Sequence, residues 1–348
     1  MSKKVFVGMS GGVDSSVTAA LLLEQGYDVI GVYMKNWSKD LPGMVCPWKE
    51  DYQDAKRVAV ELGISFKLYD FETEYRQKVV NYMLREYQAG RTPNPDVMCN
   101  QEVKFKLFLE TALEDGAECI ATGHYARIVD GQLLAGIDGN KDQSYFLYRV
   151  TEDALRHSLM PIGDYEKPAV RQLARKYGLA TAEKKDSQGI CFVGKVGIKD
   201  FLVTEIGQQP HGAIVDQHDK EIGEHDGALF YTIGQRHGLD VGGGLPYYVV
   251  GKDMAKNIVF VTTDLQDERL WHRQLKLTDM HWINEQPEKG TKLTVRPRYR
   301  APLVEVTSLT HEGASYTVDL VEDVRAITPG QSAVIYAGER CLGGGIVV

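Results

Sequence analysis

The stretch GMSGGVDSS, residues 8–16, follows the apolar run Val5–Val7 and precedes the apolar run VTAALLLEQGY at residues 17–27. Its three glycines allow backbone N–H groups to approach an anion closely. Asp14, Ser15 and Ser16 are residue types that cap the start of a helix. The stretch therefore predicts a strand, an anion-binding turn and a helix N-terminus in succession.

The same alternation of strand and helix continues beyond this stretch. DVIGVYMKN (28–36), ISFKLYDF (64–71) and ECIATGHYA (118–126) are predicted strands, and the segments 51–63, 72–88 and 103–116 are predicted helices. Such an alternation favours right-handed crossovers and an α/β fold with a doubly wound parallel sheet. Ligands of these sheets bind beyond the carboxyl ends of the strands, where Gly8 to Ser16, Met34 and Gly123 fall.

The chain changes character near residue 206. Short alternating runs such as GAIVDQHDKEIG, ALFYTIGQR and NIVFVTTD replace the helical pattern, and a further set begins with KLTVRPRYRAPLVEVTSLT. We predict a catalytic domain over 1–206 and two small β-rich domains over 207–270 and 271–348. The last is predicted to be a β-barrel, with a sandwich as the alternative.

Composition limits the functional classes. The 348 residues are 43% hydrophobic and carry a net charge of −8, and because residues 271–348 contain nine basic and nine acidic residues, the whole excess lies in 1–270. A locally basic surface can therefore exist in the last domain. No apolar run is long enough to span a bilayer and no signal peptide is evident, so we expect a cytoplasmic protein without a membrane partner.

The loop at residues 8–16 lacks the Lys-Ser/Thr pair of a Walker P-loop. A phosphate is therefore expected to be held here by backbone amides, hydroxyls and the helix dipole alone. This set suits release of pyrophosphate from an α-phosphate better than transfer of a γ-phosphoryl group, which usually requires a nearby Lys or Arg.

The five cysteines, at 46, 99, 119, 191 and 341, form no Cys-x-x-Cys pair, so neither a disulfide framework nor a protein metal site is expected. Cys119, Cys341 and, with less support, Cys46 are interpreted as small buried side chains. Cys99 follows a proline-rich loop at the start of a predicted helix, and Cys191 follows Lys184 and Lys185. Both settings favour thiolate, so a persulfide carrier with a resolving partner is our hypothesis for these two cysteines.

Ser-Gly-Gly-Val-Asp-Ser at 10–15 resembles the signature of the PP-loop ATP pyrophosphatases. Beyond this loop, the chain resembles the bacterial tRNA-specific 2-thiouridylase family over essentially its whole length. The matching stretches are GMSGGVDSS, TPNPDVMCNQEVKF, ATGHYAR, GNKDQSYFLY, KDSQGICFVG, YTIGQRHGLDVGGGLPYYVVGKD, RPRYR and CLGGGIV.

The resemblance implies a role for each matching position. Cys99 matches the nucleophile and Cys191 the persulfide carrier, which can form a disulfide with Cys99. Asp96 is the expected acid or base beside Cys99. Positions matching the ATP site are Gly8, Met9, Ser10, Gly11, Gly12, Val13, Asp14, Ser15, Ser16, Met34 and Gly123. Positions matching tRNA contacts are Asn94, Pro95 and Asp96 at the target base, and His124, Lys141, Asp142, Gln143, Arg298, Tyr299 and Gln331 elsewhere.

The implied reaction uses ATP with Mg²⁺ to adenylate the C2 oxygen of an extruded wobble uridine, after which sulfur replaces AMP. The implied partners are the tRNAs for Lys, Glu and Gln and a cysteine desulfurase or sulfur-relay protein. Cys99 either forms the disulfide with Cys191 or releases free sulfide, and the sequence leaves both routes open. In RPRYR, strand alternation would place Arg296, Arg298 and Arg300 on one face as a phosphate-contacting stripe.

Two other functions compete with this one. A PP-loop ligase or amidotransferase would activate a carboxylate, but it leaves Cys99 and Cys191 without a role. An ATP-sensing RNA-binding protein without catalysis would not need the intact loop at 10–15. Pyrophosphate release that depends on tRNA separates all three.

Overall fold

The computed structural model of the chain describes residues 2–41, 45–185, 197–239, 241–242, 244 and 246–348. Cys191, with the rest of 186–196, lies outside these residues. The helices of the described residues are α1 Val13–Glu24, α2 Trp48–Glu61, α3 Glu72–Tyr75, α4 Asn81–Gln88, α5 Pro95–Cys99, α6 Phe108–Glu114, α7 Glu152–Arg156, α8 Lys167–Lys176 and α9 Ile198–Ile206. Every helix in this part of the chain falls short of the length and apolarity that a membrane span requires.

The strands of the first half are β1 Lys4–Gly8, β2 Asp28–Lys35, β3 Ser65–Asp70, β4 Cys119–Thr122, β5 Ala126–Val129, β6 Gln132–Ala135 and β7 Ser158–Leu159. Those of the second half are β8 Gly212–Val215, β9 Glu221–His225, β10 Tyr248–Asp253, β11 Ile258–Thr262, β12 Trp271–Trp282, β13 Thr294–Arg296, β14 Val304–Glu312, β15 Ser315–Arg325, β16 Ser332–Ala337 and β17 Arg340–Val347.

The first sheet of the described chain is parallel throughout, with the strand order β3-β2-β1-β4-β7. Both of its faces are buried. Val5 and Val7 of β1 pack in one apolar cluster with α1 residues, whereas Phe6 packs in the other with Phe108. Helices therefore cover both faces, which confirms the predicted doubly wound α/β fold.

The two β-rich parts follow in sequence. A four-stranded sheet has the order β10-β11-β8-β9, and the strands β12-β15-β14-β13-β16-β17 close into a barrel through an additional pairing of β12 with β17. Leu275, Val295, Val318 and Ile335 lie in the barrel core. The predicted barrel is confirmed. The run ALFYTIGQR, predicted as β-rich, instead contains a short 3₁₀ helix at Ala228–Phe230.

A hairpin from the first half joins the barrel. Strands β5 and β6 pair with each other, and β6 then pairs with β17 at Leu133 and Leu134. The strand predicted over 118–126 is consequently two elements, because β4 ends at Thr122 and β5 begins at Ala126. The hairpin thus extends the sheet of the barrel, and residues 123–125 connect it directly to β4 of the parallel sheet.

Candidate active site

The loop at residues 8–16 lies at the carboxyl end of β1, between β2 and β4. Gly12 is the N-cap of α1, and within the described residues no side chain caps the amides of that first turn. The serines fold the loop onto itself: Ser15 Oγ and Ser16 Oγ each donate to the Gly12 carbonyl, at 3.2 and 2.7 Å. Asp14 and both serines therefore lie inside the first turn, and the amides at the start of the helix face the position an anion would take.

Two glycines shape this loop. Gly11 has a φ of 75°, in the left-handed region that favours glycine. Gly123, directly after β4, packs so closely on α1 that an added Cβ would lie 2.7 Å from Ser15 N and 2.9 Å from Asp14 C. Gly123 thus brings the end of β4 against the helix N-terminus.

The residues expected at the ATP site meet at one edge of the sheet. The parallel register aligns Gly8 with Val32 of β2 and Thr122 of β4. Met34, two residues after Val32, and Gly123, directly after Thr122, therefore lie on either side of the loop. The Met34 Cε atom lies 3.0 Å from where a Gly8 Cβ would be. The structure therefore brings together Gly8, Met34, Gly123 and the start of α1.

A lysine absent from the loop sequence reaches the loop from α8. Lys167 Nζ lies 2.7 and 2.9 Å from the two carboxylate oxygens of Asp14, and Tyr125 Oη donates to Asp14 Oδ1 at 2.7 Å. Lys167 is only 8% exposed. Folding thus places beside the loop an ammonium that the loop sequence does not contain, from 153 residues away. That amides, hydroxyls and the helix dipole alone hold a phosphate stays a prediction.

Cys99 lies within a helix, four residues after the first helical residue. The helix starts at Pro95, with Asn94 as the N-cap accepting from Val97 N at 3.4 Å, and it continues with π-type hydrogen bonding over Asn100–Leu107 into α6. The predicted start at 103 was wrong. Cys99 is 1% exposed. Asp96, three residues earlier, lies on the same face of the helix.

His124 connects this helix to the loop. Its Nδ1 atom is 2.7 Å from Thr122 Oγ1, and its Nε2 atom is 3.5 Å from Lys104 Nζ. Burial, and then the Lys104 charge, lower the pKa of His124 well below its ordinary value. The neutral ring therefore donates from Nδ1 to Thr122 and accepts from Lys104 at Nε2. His124 is 7% exposed, so it is not a surface side chain.

Thr92 and Pro93, directly before the segment Asn94–Asp96, lie against the barrel. Gln331 Nε2 donates to the carbonyls of Thr92 and Pro93, at 2.8 and 3.2 Å. Tyr299 packs its ring on Phe146, with centroids 4.3 Å apart. The ring of Tyr145 lies 5.8 Å from that of Tyr299, and the Tyr145 side chain also hydrogen-bonds Asn94. Tyr299 and Gln331 are thus brought to the Asn94 segment.

The predicted arginine stripe does not form. Strand β13 ends at Arg296, and Arg300 has a positive φ of 63°, so the chain turns where alternation was expected. Arg296 Nη1 pairs with Asp142 Oδ2 at 2.9 Å, whereas Arg298 and Arg300 are exposed. Pro297 breaks the strand because it has no N–H to donate to the ladder.

Asp142 is an internal residue, 3% exposed. Besides the Arg296 pair, it accepts from Gly136 N and Ser144 N and from Ser144 Oγ, all within 3.1 Å. Gln143 Oε1 accepts from Tyr125 N at 3.0 Å, and Lys141 is half-buried beside it. Asp142 thus stabilises the fold through internal hydrogen bonds and an ion pair.

The other described cysteines are buried, which agrees with their interpretation as small core side chains. Burial raises the pKa of the Cys46, Cys119 and Cys341 thiols. Lys184, expected to act on Cys191, forms ion pairs with Asp51 and Asp54 at 2.8 and 2.7 Å.

Sequence reasoning missed Lys167 and Lys104 because no local motif marks either residue. Tyr125 lies in the quoted stretch ATGHYAR, but nothing there indicated its hydrogen bond to Asp14. The only signal for Lys104 was its place five residues after Cys99 in the same predicted helix.

The chain matches three family models in succession. Residues 3–195 match the tRNA methyl transferase HUP domain, residues 199–263 the tRNA methyl transferase PRC-barrel domain, and residues 272–347 the aminomethyltransferase beta-barrel domain.

Two relatives are similar in sequence to this chain over nearly their whole length. The chain is 49% identical to the tRNA-specific 2-thiouridylase MnmA of Lacticaseibacillus paracasei and 50% identical to the tRNA-specific 2-thiouridylase MnmA 2 of Geobacillus kaustophilus. Each alignment covers 99% of this chain and 94% of the relative.

Solved structures are more distant. A crystal structure of a 4-thiouridine synthetase in complex with RNA and bound ATP aligns with a TM-score of 0.38 at 19% identity, covering 54% of this chain and 44% of that one. An NMN synthetase from Francisella tularensis aligns with a TM-score of 0.34 at 15% identity, covering 53% and 66%.

Proposed function

Because the chain belongs to the tRNA-specific 2-thiouridylase family, we propose that it converts the wobble uridine of tRNA to 2-thiouridine in an ATP-dependent reaction. The observation that supports the proposal is a series of contacts that connects the loop at 8–16 with the helix of Cys99. Gly123 packs on Ser15, and the next residue, His124, contacts Lys104. Lys104 lies five residues, or about 7.5 Å of helix rise, beyond Cys99.

ATP binds, in this proposal, with its phosphates at the start of α1. The amides of the first turn and the Ser10 hydroxyl meet the anion, and Mg²⁺ accompanies the nucleotide. Lys167 adds a positive charge whose partner, Asp14, already lies in that turn. The main chain near Met34 and Gly123 borders the nucleoside end.

The first chemical step activates the base. The C2 oxygen of the extruded uridine attacks the α-phosphorus, the bond to the pyrophosphate oxygen breaks, and an O-adenylated uridine forms. Asn94, Pro95 and Asp96 meet this base, and Asp96 exchanges a proton with it.

The second step delivers sulfur. A cysteine desulfurase or relay protein transfers a sulfur atom to Cys191, whose terminal persulfide sulfur attacks C2 and displaces AMP. Cys99 then attacks Cys191 Sγ, which leaves 2-thiouridine and a Cys99–Cys191 disulfide. In the alternative route, Cys99 attacks the persulfide first and the released sulfide attacks C2.

Cys99 must become accessible for either route, since its side chain is 1% exposed in the chain without tRNA. The proposed tRNA substrates are those for Lys, Glu and Gln. Arg298, Tyr299 and Gln331 contact that tRNA from the barrel, and Lys141 and Gln143 form further contacts carried over from the family. Asp142 and His124, which are 3% and 7% exposed, support these contacts from inside the chain.

The test is nucleoside mass spectrometry of tRNA incubated with the protein, ATP and a persulfide source, with pyrophosphate measured in parallel. We expect 2-thiouridine and tRNA-dependent pyrophosphate from the wild type. Cys99→Ser and Cys191→Ser should abolish 2-thiouridine while pyrophosphate release persists, and Cys341→Ser is the matched control in the barrel. Thiolation by Cys191→Ser would contradict the sulfur route, and release of pyrophosphate without tRNA would favour the ligase.

A further inference from the structure

A cavity of about 160 Å³ lies where the three parts of the chain meet. Its lining comes from the segment after α4, from the four-stranded-sheet unit and from the loop before β16, and includes Gly90, Thr92, Ile233, Lys252, Met254 and Pro329. None of the site residues described above lines it, although Thr92 lies two residues before Asn94.

Lys252 is the cation of this cavity. Its Nζ atom donates to the Tyr231 carbonyl at 2.7 Å. Across the described residues, no carboxylate lies within ion-pairing distance of it. An ammonium has three donors, so two remain after the bond to Tyr231.

Burial alone lowers the pKa of Lys252 to about 8. Burying a lysine ammonium without an opposite charge lowers the stability of the fold, and an apolar side chain of the same length would avoid this loss of stability. By contrast, Arg91 beside the cavity is neutralised by Glu86, at 2.6 and 2.7 Å. Lys252 is therefore the lining residue whose charge an incoming anion can satisfy.

The cavity is close to the segment proposed to meet the target base. Thr92 Oγ1 lies 3.1 Å from Thr232 Oγ1, and the Thr92 carbonyl is held by Gln331. From Thr92 to Asp96 the chain can span at most about 14 Å. An RNA strand whose base reaches Asp96 can therefore bring a neighbouring phosphate to the cavity.

We propose that this cavity is a phosphate site, in which the Lys252 ammonium and the Thr92 hydroxyl bind a phosphodiester of tRNA next to the reacting nucleotide. The assignment rests on the proposed function for its RNA partner. A free phosphate ion has the same chemistry, and the test separates the two sources.

The test measures tRNA affinity of the full chain by fluorescence anisotropy between about 50 and 200 mM salt. Loss of one phosphate contact should reduce the slope of log K against log salt by about 0.7 to 0.9. We expect this reduction for Lys252→Gln and not for Lys252→Arg. Lys3→Gln is the matched control, because Lys3 is exposed at the opposite, amino end of β1.

Lys252→Met is a second variant for the case that Lys252→Gln folds poorly, since it replaces the buried charge by an apolar side chain. It should show the same reduced slope. An unchanged slope in Lys252→Gln and Lys252→Met overturns the proposal. Calorimetric binding of inorganic phosphate that disappears in Lys252→Gln while the slope stays constant also overturns it, in favour of a free anion. Failure of the wild type to make 2-thiouridine would contradict the proposed function and leave this comparison of slopes intact.

Discussion

At the scale of single residues, the neutral state of His124 ties stability to pH. Burial and the Lys104 ammonium keep its pKa well below the ordinary 6.5, so in the folded chain it stays unprotonated where an unfolded chain would bind a proton. Its contribution to stability is therefore complete above pH 6.5 and is lost as the pH falls below that value.

We expect the substitution His124→Gln to reduce this loss of stability at acidic pH. Between pH 7.5 and 5.5, one unit below the unfolded pKa, the free energy of unfolding should fall by up to about 1.4 kcal/mol more in the wild type than in the variant. Urea unfolding at both pH values measures it. His225 and His281, whose pKa values burial also lowers, titrate in both proteins and cancel. His237→Gln, at an exposed position, is the control, and an equal loss in wild type and His124→Gln would refute the assignment.

The local structure of the loop at 8–16 could be predicted because it depends on neighbouring residues only: one turn needs glycines, hydroxyls and a helix start in order. Lys167 could not, because its place beside Asp14 depends on how α8 packs on α1. A lysine at the start of a helix has no sequence signal for a carboxylate 153 positions away. Residue type and position made Cys99 a candidate nucleophile, which stays a prediction, and its burial depends on the helices around it.

At the scale of elements, the parallel strands followed from periodicity, and the errors came from proline. Asn94-Pro95 has the pattern of an N-cap followed by a first helical residue, and the helix indeed starts there, eight residues before the predicted start. Pro297 ends β13, so the alternation expected for RPRYR stops after Arg296. In both places the proline decides the bounds of the element more strongly than the apolar pattern around it.

The packing of β4 on α1 gives a prediction at Gly123. A Cβ at this position would lie 2.7 Å from Ser15 N, against main chain that cannot move independently. We expect Gly123→Ala to displace the start of α1, to lower the free energy of unfolding by about 1 to 3 kcal/mol, and to raise the KM for ATP at least about tenfold. Thermal unfolding and pyrophosphate release measure the two effects.

Gly139→Ala is the matched control, since a Cβ there meets nothing within 4 Å. A Gly123→Ala protein with wild-type KM would show that the turn after β4 does not shape the nucleotide site. A loss of stability with an unchanged KM would have the same meaning.

At the scale of the whole molecule, the sequence predicted a parallel sheet and a barrel but not how they join. The hairpin β5–β6 adds to β17, and Arg296 of the barrel reaches Asp142 in the segment that follows this hairpin. Short strands at 126–135 carry a weak periodic signal, and their partner lies more than 200 residues away. Pairing over that separation is decided by packing and not by local pattern.

The Asp142–Arg296 pair tests whether this junction is a structural link. Asp142 accepts four hydrogen bonds internally and is 3% exposed. Removing it leaves the Arg296 guanidinium buried beside unsatisfied amides, so Asp142→Ala should lower the free energy of unfolding by about 3 to 5 kcal/mol. Glu339→Ala, which breaks the exposed pair with Arg127, should cost no more than about 1 kcal/mol. Chemical unfolding measures both losses of stability. Folded Asp142→Asn should bind tRNA with the same dependence on salt as the wild type. A stable Asp142→Ala protein that binds tRNA more weakly would instead make Asp142 a direct RNA contact.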